Sequence, residues 1–264
     1  MGLTMRMIIL AAGQGSRLRP LTDTRPKCLV ELQGKSLLDW QIEAAREVGI
    51  EDIIVVGGYR ADQLLRAGIQ VVRNPWFETT NMVTSLFCAQ EMFGDGFVLS
   101  YGDIVYTPRI LQTLIDDGSS VGVVVDRDWL SYWLMRFADP LSDAESLRMT
   151  PEGNLLSVGQ LERNIGLIEA QYIGLMSFRG EGLVGLNRAH LAAQSAECRG
   201  ALPFGGTRPL SGLFMTDLLQ GMIDNGTPLH AVQVSGGWVE IDNIDDLHLA
   251  ESLVRSGRLS SESG

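Results

Sequence analysis

Ile8-Ile9-Leu10-Ala11-Ala12-Gly13-Gln14-Gly15-Ser16-Arg17-Leu18-Arg19-Pro20-Leu21-Thr22-Asp23-Thr24-Arg25-Pro26-Lys27-Cys28-Leu29-Val30 opens with an apolar run, stops at small residues, turns on two glycines and then presents Ser16, Arg17 and Lys27. The apolar run has the length and character of a buried strand. Glycines after it let backbone N–H groups approach phosphate oxygens, and the cations that follow neutralise charge that amides alone leave uncompensated. Two familiar phosphate loops are excluded by spacing. A P-loop needs Lys directly after its second glycine, and here Gly15 is followed by Ser16; the dinucleotide fingerprint needs a third glycine where this chain has Leu18.

What remains is A-A-G-x-G-S-R-L-x-P-L-T, followed by P-K-x-L-V. This run resembles the signature of the nucleotidyltransferases that join a nucleoside triphosphate to a phosphorylated small molecule and release pyrophosphate. The resemblance implies an α/β, Rossmann-like nucleotidyltransferase fold: a mainly parallel mixed sheet flanked by helices, with an insertion covering the substrate site. It also implies that Arg17 and Lys27 are catalytic cations and that Gly15 and Ser16 belong to the phosphate-holding turn.

The chain has 264 residues, 45% hydrophobic and 20% charged, which is a globular composition with enough length for a substantial core. Its net charge of -11 gives no general affinity for nucleic acid or anionic membrane, so any polyanion is held locally, by a few cations in a cleft. Cys28, Cys88 and Cys198 lie far apart without C-x-x-C spacing, which suits a reduced, cytoplasmic protein without structural zinc. The apolar run after Arg6 is too short for a signal peptide, and no run approaches membrane-spanning length. The oligomeric state is left open, a homo-oligomer included.

Helical spacing and turn signals alternate with short apolar runs from Met5 to Asp126. Helices are expected over 37–48, 61–67, 81–90 and 110–115, and strands over 53–56, 69–72, 97–99 and 121–125; the alternation predicts right-handed crossovers and a mainly parallel sheet. The rhythm breaks over 126–170, read as an insertion that packs over the sheet edge and covers the substrate. It resumes with a strand over 172–178, helices over 183–193 and 213–223, strands over 232–234 and 238–241, and a helix over 245–254. The expectation is one domain over 1–255 and a disordered tail over 256–264.

In an open parallel sheet, ligands bind beyond the carboxyl ends of the strands. Asp103 and Asp242 each follow a predicted strand. Bringing a phosphate oxygen to the α-phosphorus of a nucleotide crowds negative oxygens, which Mg²⁺ held by carboxylates relieves, so these two are the candidate metal ligands. A post-strand Asp is more often a turn or cap; the resemblance raises both, because such enzymes place one metal carboxylate after a central strand and another near the C-terminus. Some relatives carry a further carboxylate two residues before the first ligand, where this chain has Tyr101.

Asn74-Pro75 through Asn81 and Ser85-Leu86 reads N-P-x-x-x-x-T-N-x-x-x-S-L. Thr80 or Asn81 can cap the helix that follows, yet an amide offers the donor and acceptor that a cytosine edge requires. The segment resembles that of the CTP-using branch, which includes phosphocholine cytidylyltransferases. The likeness implies that Ala11, Ala12 and Gly13 meet base and ribose through backbone, with Asn81 and Ser85 beside the base.

For the acceptor, Trp129, Tyr132 and Trp133 fall on one helical face beside Asp126 and Asp128, and Glu169 and Tyr172 bracket the returning strand. Aromatic faces with carboxylates can hold a quaternary ammonium; an apolar helix face packed on the sheet is the plainer alternative. Asp126, Trp129, Trp133, Glu169 and Tyr172 are therefore candidate acceptor residues. The expected reaction is cytidylyl transfer from CTP to phosphocholine, giving CDP-choline and pyrophosphate. The alternatives are a phosphonate acceptor such as 2-aminoethylphosphonate, a sugar 1-phosphate with another nucleotide, and a non-catalytic nucleotide-binding regulator. The last is disfavoured because Arg17, Lys27, Asp103 and Asp242 are all present.

Overall fold

The computed structural model describes residues 5–259. The opening apolar run is β1 (Arg6–Ala11), and a small hairpin, β2 (Glu31–Leu32) with β3 (Lys35–Ser36), leads into α1 (Leu37–Glu47). Ser36 caps that helix by accepting from the Asp39 backbone N–H at 3.1 Å. Next come β4 (Ile53–Gly57), β5 (Ile69–Arg73), α2 (Met82–Cys88), β6 (Gly96–Tyr101), β7 (Ile104–Tyr106), α3 (Pro108–Asp116) and β8 (Val121–Asp126). The segment expected as an insertion holds α4 (Trp129–Arg136) and the hairpin of β9 (Glu145–Met149) and β10 (Leu155–Leu161). The chain finishes with β11 (Gln171–Arg179), α5 (Glu181–Cys198), α6 (Met215–Asp224), β12 (His230–Val234), β13 (Trp238–Glu240) and α7 (Ile244–Arg255).

The seven-stranded sheet runs β12-β8-β11-β6-β1-β4-β5. Its pairings are parallel except those of β11, which is antiparallel to β6 and β8, so the carboxyl ends of the other six strands share one edge. Strands buried on both faces explain the unbroken apolar runs of β4 and β8. Successive side chains enter opposite cores: Ile9, Val55, Val98 and Val124 pack with α1, α3, α4 and α7, whereas Ile8, Ile54, Leu99 and Val123 pack with α2, α5 and α6.

Residues 126–170 serve both cores. Trp129, Tyr132 and Trp133 of α4 join the first, and Leu147, Leu155 and Val158 of the hairpin join the second. The helix expected over 61–67 is only a 3-10 turn, Ala61–Leu64, followed by Leu65 in an extended conformation. Of the tail expected over 256–264, Ser256–Leu259 continue in turns with Leu259 buried, and 260–264 lie outside the described residues. Among the described residues, no helix is long and apolar enough to cross a membrane.

Candidate active site

The site lies at the shared carboxyl edge of the sheet. β1 ends there in Ala11 and Ala12, and the turn that follows passes through Gly15 with φ 72°, a left-handed conformation open to glycine. A Cβ on Gly15 would meet Lys27 Cβ at 2.8 Å, so the turn rests directly on the lysine stem. Buried Thr22 braces it by donating to the Gly15 carbonyl at 2.8 Å. Ser16 and Arg17 are exposed above it, and Arg17 Nη2 lies 2.9 Å from Asp242 Oδ1.

A cavity of about 170 Å³ opens beside this turn, lined by Ala11, Ala12, Gly13, Lys27, Phe77, Asn81, Ser85, Tyr101 and Asp103 among others. The residues proposed for base and ribose are thus brought together. Asn81 is the N-cap of α2, its Oδ1 accepting from the Met82 N–H at 2.9 Å. Buried Asn74, to which the sequence reading gave no role, donates to Thr80 Oγ1 at 3.0 Å and Ser85 Oγ at 2.9 Å, and its Oδ1 accepts from the Trp76 N–H. Its place just before a proline, where the chain must turn, was the available signal.

The carboxylates are brought together by a pairing the sequence reading did not foresee. β7 lies antiparallel to β13, with Ile104 opposite Glu240, and the Ile241 N–H bonds to the Asp103 carbonyl at 3.0 Å. Asp103 and Asp242 therefore emerge side by side, and Lys27 Nζ donates to Asp103 Oδ2 and Asp242 Oδ1 at 2.6 Å each. Burial alone would lower the Lys27 pKa, but the charges of Asp103 and Asp242 outweigh it and hold the ammonium protonated well above the ordinary lysine range. Burial would likewise raise Asp242; Lys27, Arg17 and Arg136 reverse that and keep it ionised.

Glu240 adds a third oxygen donor: ligand atoms of Asp103, Glu240 and Asp242 lie within 4.8 Å of one another. Asp103 Oδ1 is buried without a hydrogen-bond partner. An all-oxygen donor set with an unsatisfied carboxylate oxygen fits a hard divalent cation such as Mg²⁺. Glu240 was legible in the strand period, since Trp238, Glu240 and Asp242 alternate onto one side.

A second cavity, about 270 Å³, shares Met82 and Tyr101 with the first. Its walls include Tyr101, Trp133, Tyr172, Phe214 and Trp238, with the carboxylates Asp143, Glu145, Glu240 and Asp242 and, among the described residues, no Lys or Arg. Burial pushes the carboxyl pKa values of Asp143 and Glu145 up. Of the five candidate acceptor residues, Trp133 and Tyr172 line this cavity and the other three do not. Asp126 is buried at 1% exposure and committed to structure, accepting from Trp238 Nε1 at 2.8 Å, Asp128 N at 2.9 Å and Gly236 N at 3.1 Å. Trp129 packs edge-on to Trp133 in the core, and Glu169 sits where its N–H extends the hairpin edge to the Leu147 carbonyl. Tyr101, Asp143, Glu145, Phe214 and Trp238, which also line the cavity, come from four separate segments that no local spacing joins.

Cys28 also borders the first cavity, but burial pushes its thiol up to about 12, which leaves it without nucleophilic character.

The sequence matches the model of the MobA-like NTP transferase domain over residues 7–151. It is 38% identical to the CTP:phosphoglutamine cytidylyltransferase of Campylobacter jejuni over 256 residues, covering 93% of this chain and 98% of that one. It is 31% identical to the choline-phosphate cytidylyltransferase of Streptococcus pneumoniae over 157 residues, covering 58% and 68%. Among solved structures, the fold matches CTP:phosphocholine cytidylyltransferase from Streptococcus pneumoniae with a TM-score of 0.70 at 21% identity, covering 96% of this chain and 100% of that one. It also matches the inositol-1-phosphate CTP transferase from T. maritima, with a TM-score of 0.71 at 21% identity, covering 96% and 98%. The match over more than half the chain places the protein in the family of MobA-like NTP transferases.

Proposed function

We propose that the chain transfers the cytidylyl group of CTP to a small phosphorylated acceptor whose other end carries an ammonium group, with phosphocholine the acceptor that the cavity favours. The observation that carries this reading is the second cavity: aromatic rings and carboxylates with no Lys or Arg among them suit a cation that brings no carboxylate of its own. Phosphoglutamine is the second reading, supported by the Campylobacter jejuni relative that spans nearly the whole chain. A glutamine head would add a carboxylate, and the cations beside these walls, Arg136 and Arg208, are already paired with Glu240 and Asp217.

In the proposed reaction, the base of CTP enters the first cavity beside Asn81 and Ser85, and its phosphates lie over the turn from Ala11 to Arg17. Arg17 and Lys27 neutralise phosphate charge. An oxygen of the acceptor phosphate forms a bond to the α-phosphorus, and the bond to pyrophosphate breaks with its electron pair leaving on pyrophosphate. The attacking oxygen is already ionised, so placement and charge neutralisation supply the catalysis without a general base. Asp103 and Asp242, with Glu240 beside them, would hold Mg²⁺, which would offset charge on the triphosphate. Pyrophosphate release over a grid of CTP, UTP, dTTP and GTP against phosphocholine, phosphoglutamine, 2-aminoethylphosphonate and glucose 1-phosphate tests the reading. Turnover confined to CTP with phosphocholine supports it; preference for phosphoglutamine replaces the first acceptor with the second; turnover with a sugar phosphate and another nucleotide overturns it.

A further inference from the structure

Arg136 closes α4 with a side chain of 0% exposure. Its Nε and Nη2 donate to Asp246 Oδ1 and Oδ2 at 2.9 and 3.3 Å, its Nη1 donates to Glu240 Oε2 at 2.7 Å, and its Nη2 lies 3.7 Å from Asp242 Oδ2. The rings of Tyr132, Trp133 and Phe137 lie within 5.6 Å of the guanidinium carbon. A buried cation is costly unless paired, and the two-bonded contact with Asp246 alone meets that need. Two further carboxylates on the same guanidinium go beyond neutralisation. They set which oxygen faces where: Asp242 turns Oδ2 to Arg136 and Oδ1 to Lys27 and Arg17.

We propose that Arg136 is a positioning residue for the transfer reaction, aiming Asp242 and Glu240 at the ion they would share with Asp103. Trp133, one turn back on α4, lines the acceptor cavity, so the same helix ties that wall to the carboxylates. The inference rests on the proposed metal-assisted reaction, and the experiment separates the two.

Arg136→Lys keeps the charge but loses the planar fork, and is preferred to Arg136→Met, which would strand buried carboxylates. CTP affinity is measured by calorimetry with Mg²⁺ and with EDTA, alongside thermal melts and steady-state kinetics, in wild type, Arg136→Lys and Asp103→Asn. Arg136→Lys should leave affinity in EDTA unchanged, cut the Mg²⁺-dependent gain in affinity about tenfold, and lower kcat about tenfold or more with little change in the acceptor KM, which are the losses of a displaced ligand-orienting group. A lower melting temperature with the Mg²⁺-dependent gain and kcat both at wild-type levels would make Arg136 purely structural and overturn the proposal. Equal Mg²⁺ dependence in wild type and Asp103→Asn would instead remove the metal reading, and the inference with it.

Discussion

Lys27 Nζ reaches Asp103 Oδ2 at 2.6 Å although 76 positions separate the two residues. The contact joins the loop that follows the glycine turn to the segment between β6 and β7, and it places a permanent cation where the proposed triphosphate and acceptor phosphate would meet.

Lys27→Ala should lower kcat/KM for the acceptor by about 10²-fold or more, the scale for removing a preorganised charge-stabilising group. Asp103→Asn should abolish turnover even with both substrates saturating. Steady-state pyrophosphate release checks both, and near-full activity of Asp103→Asn in magnesium would remove the metal assignment. Because Asp103 and Asp242 raise the Lys27 pKa above its ordinary value of about 10.4, its ionic contribution is complete below that pH and fades only as pH passes the raised value. No loss of activity between pH 7 and 9 should trace to this lysine.

Asp126→Asn should destabilise the fold by roughly 1–3 kcal/mol, the scale of a buried hydrogen-bonding defect, because its carboxylate holds Trp238 and the Gly236 turn. The acceptor KM should stay within about threefold of wild type, since Asp126 does not line the cavity and acts on it only by holding Trp238. Denaturation curves with acceptor kinetics distinguish this from direct recognition, which would raise KM without a matching loss of stability.

Asp126 also shows what the sequence could convey. The strand-and-helix rhythm, the glycine turn and the cations after it were legible because each rests on local spacing. Asp126 stood beside the right aromatic helix, but its carboxylate faces a turn 110 residues later. Arg136 was invisible for the same reason: its partners Glu240 and Asp246 lie 104 and 110 positions away and become neighbours only when α4 docks on α7 and β13. Asp103 and Asp242 were individually readable as residues after strands, whereas their adjacency depends on the three-residue β7, too short to show a period.

Phe214→Ala and Glu145→Gln should each raise the KM for phosphocholine by roughly 3- to 30-fold, the range for losing one aromatic or ionic contact with a cation in a partly desolvated site. The CTP KM should not move, because both residues line only the second cavity. Initial-rate measurements with each substrate varied in turn test this, and equal shifts in both KM values would count against separate cavities.

His190 stacks on Phe87 with ring centroids 3.4 Å apart, and burial pushes its pKa down to about 4 from 6.5. Between those values the unfolded chain binds more protons than the folded one, so stability rises with pH across this window and this contribution is lost as pH falls towards 4. His190→Gln should therefore narrow the difference in melting temperature between pH 7 and pH 5. An unchanged difference would show that the imidazole is charged in the folded protein.

The most direct measurement is the anomalous difference map of a crystal soaked with Mn²⁺ and CTP. The expected peak lies between Asp103 and Asp242, with the triphosphate over Gly13 to Arg17 and the cytosine beside Asn81 and Ser85. Bound CTP whose manganese sits away from both carboxylates, or whose base occupies the aromatic cavity instead, would contradict the assignment.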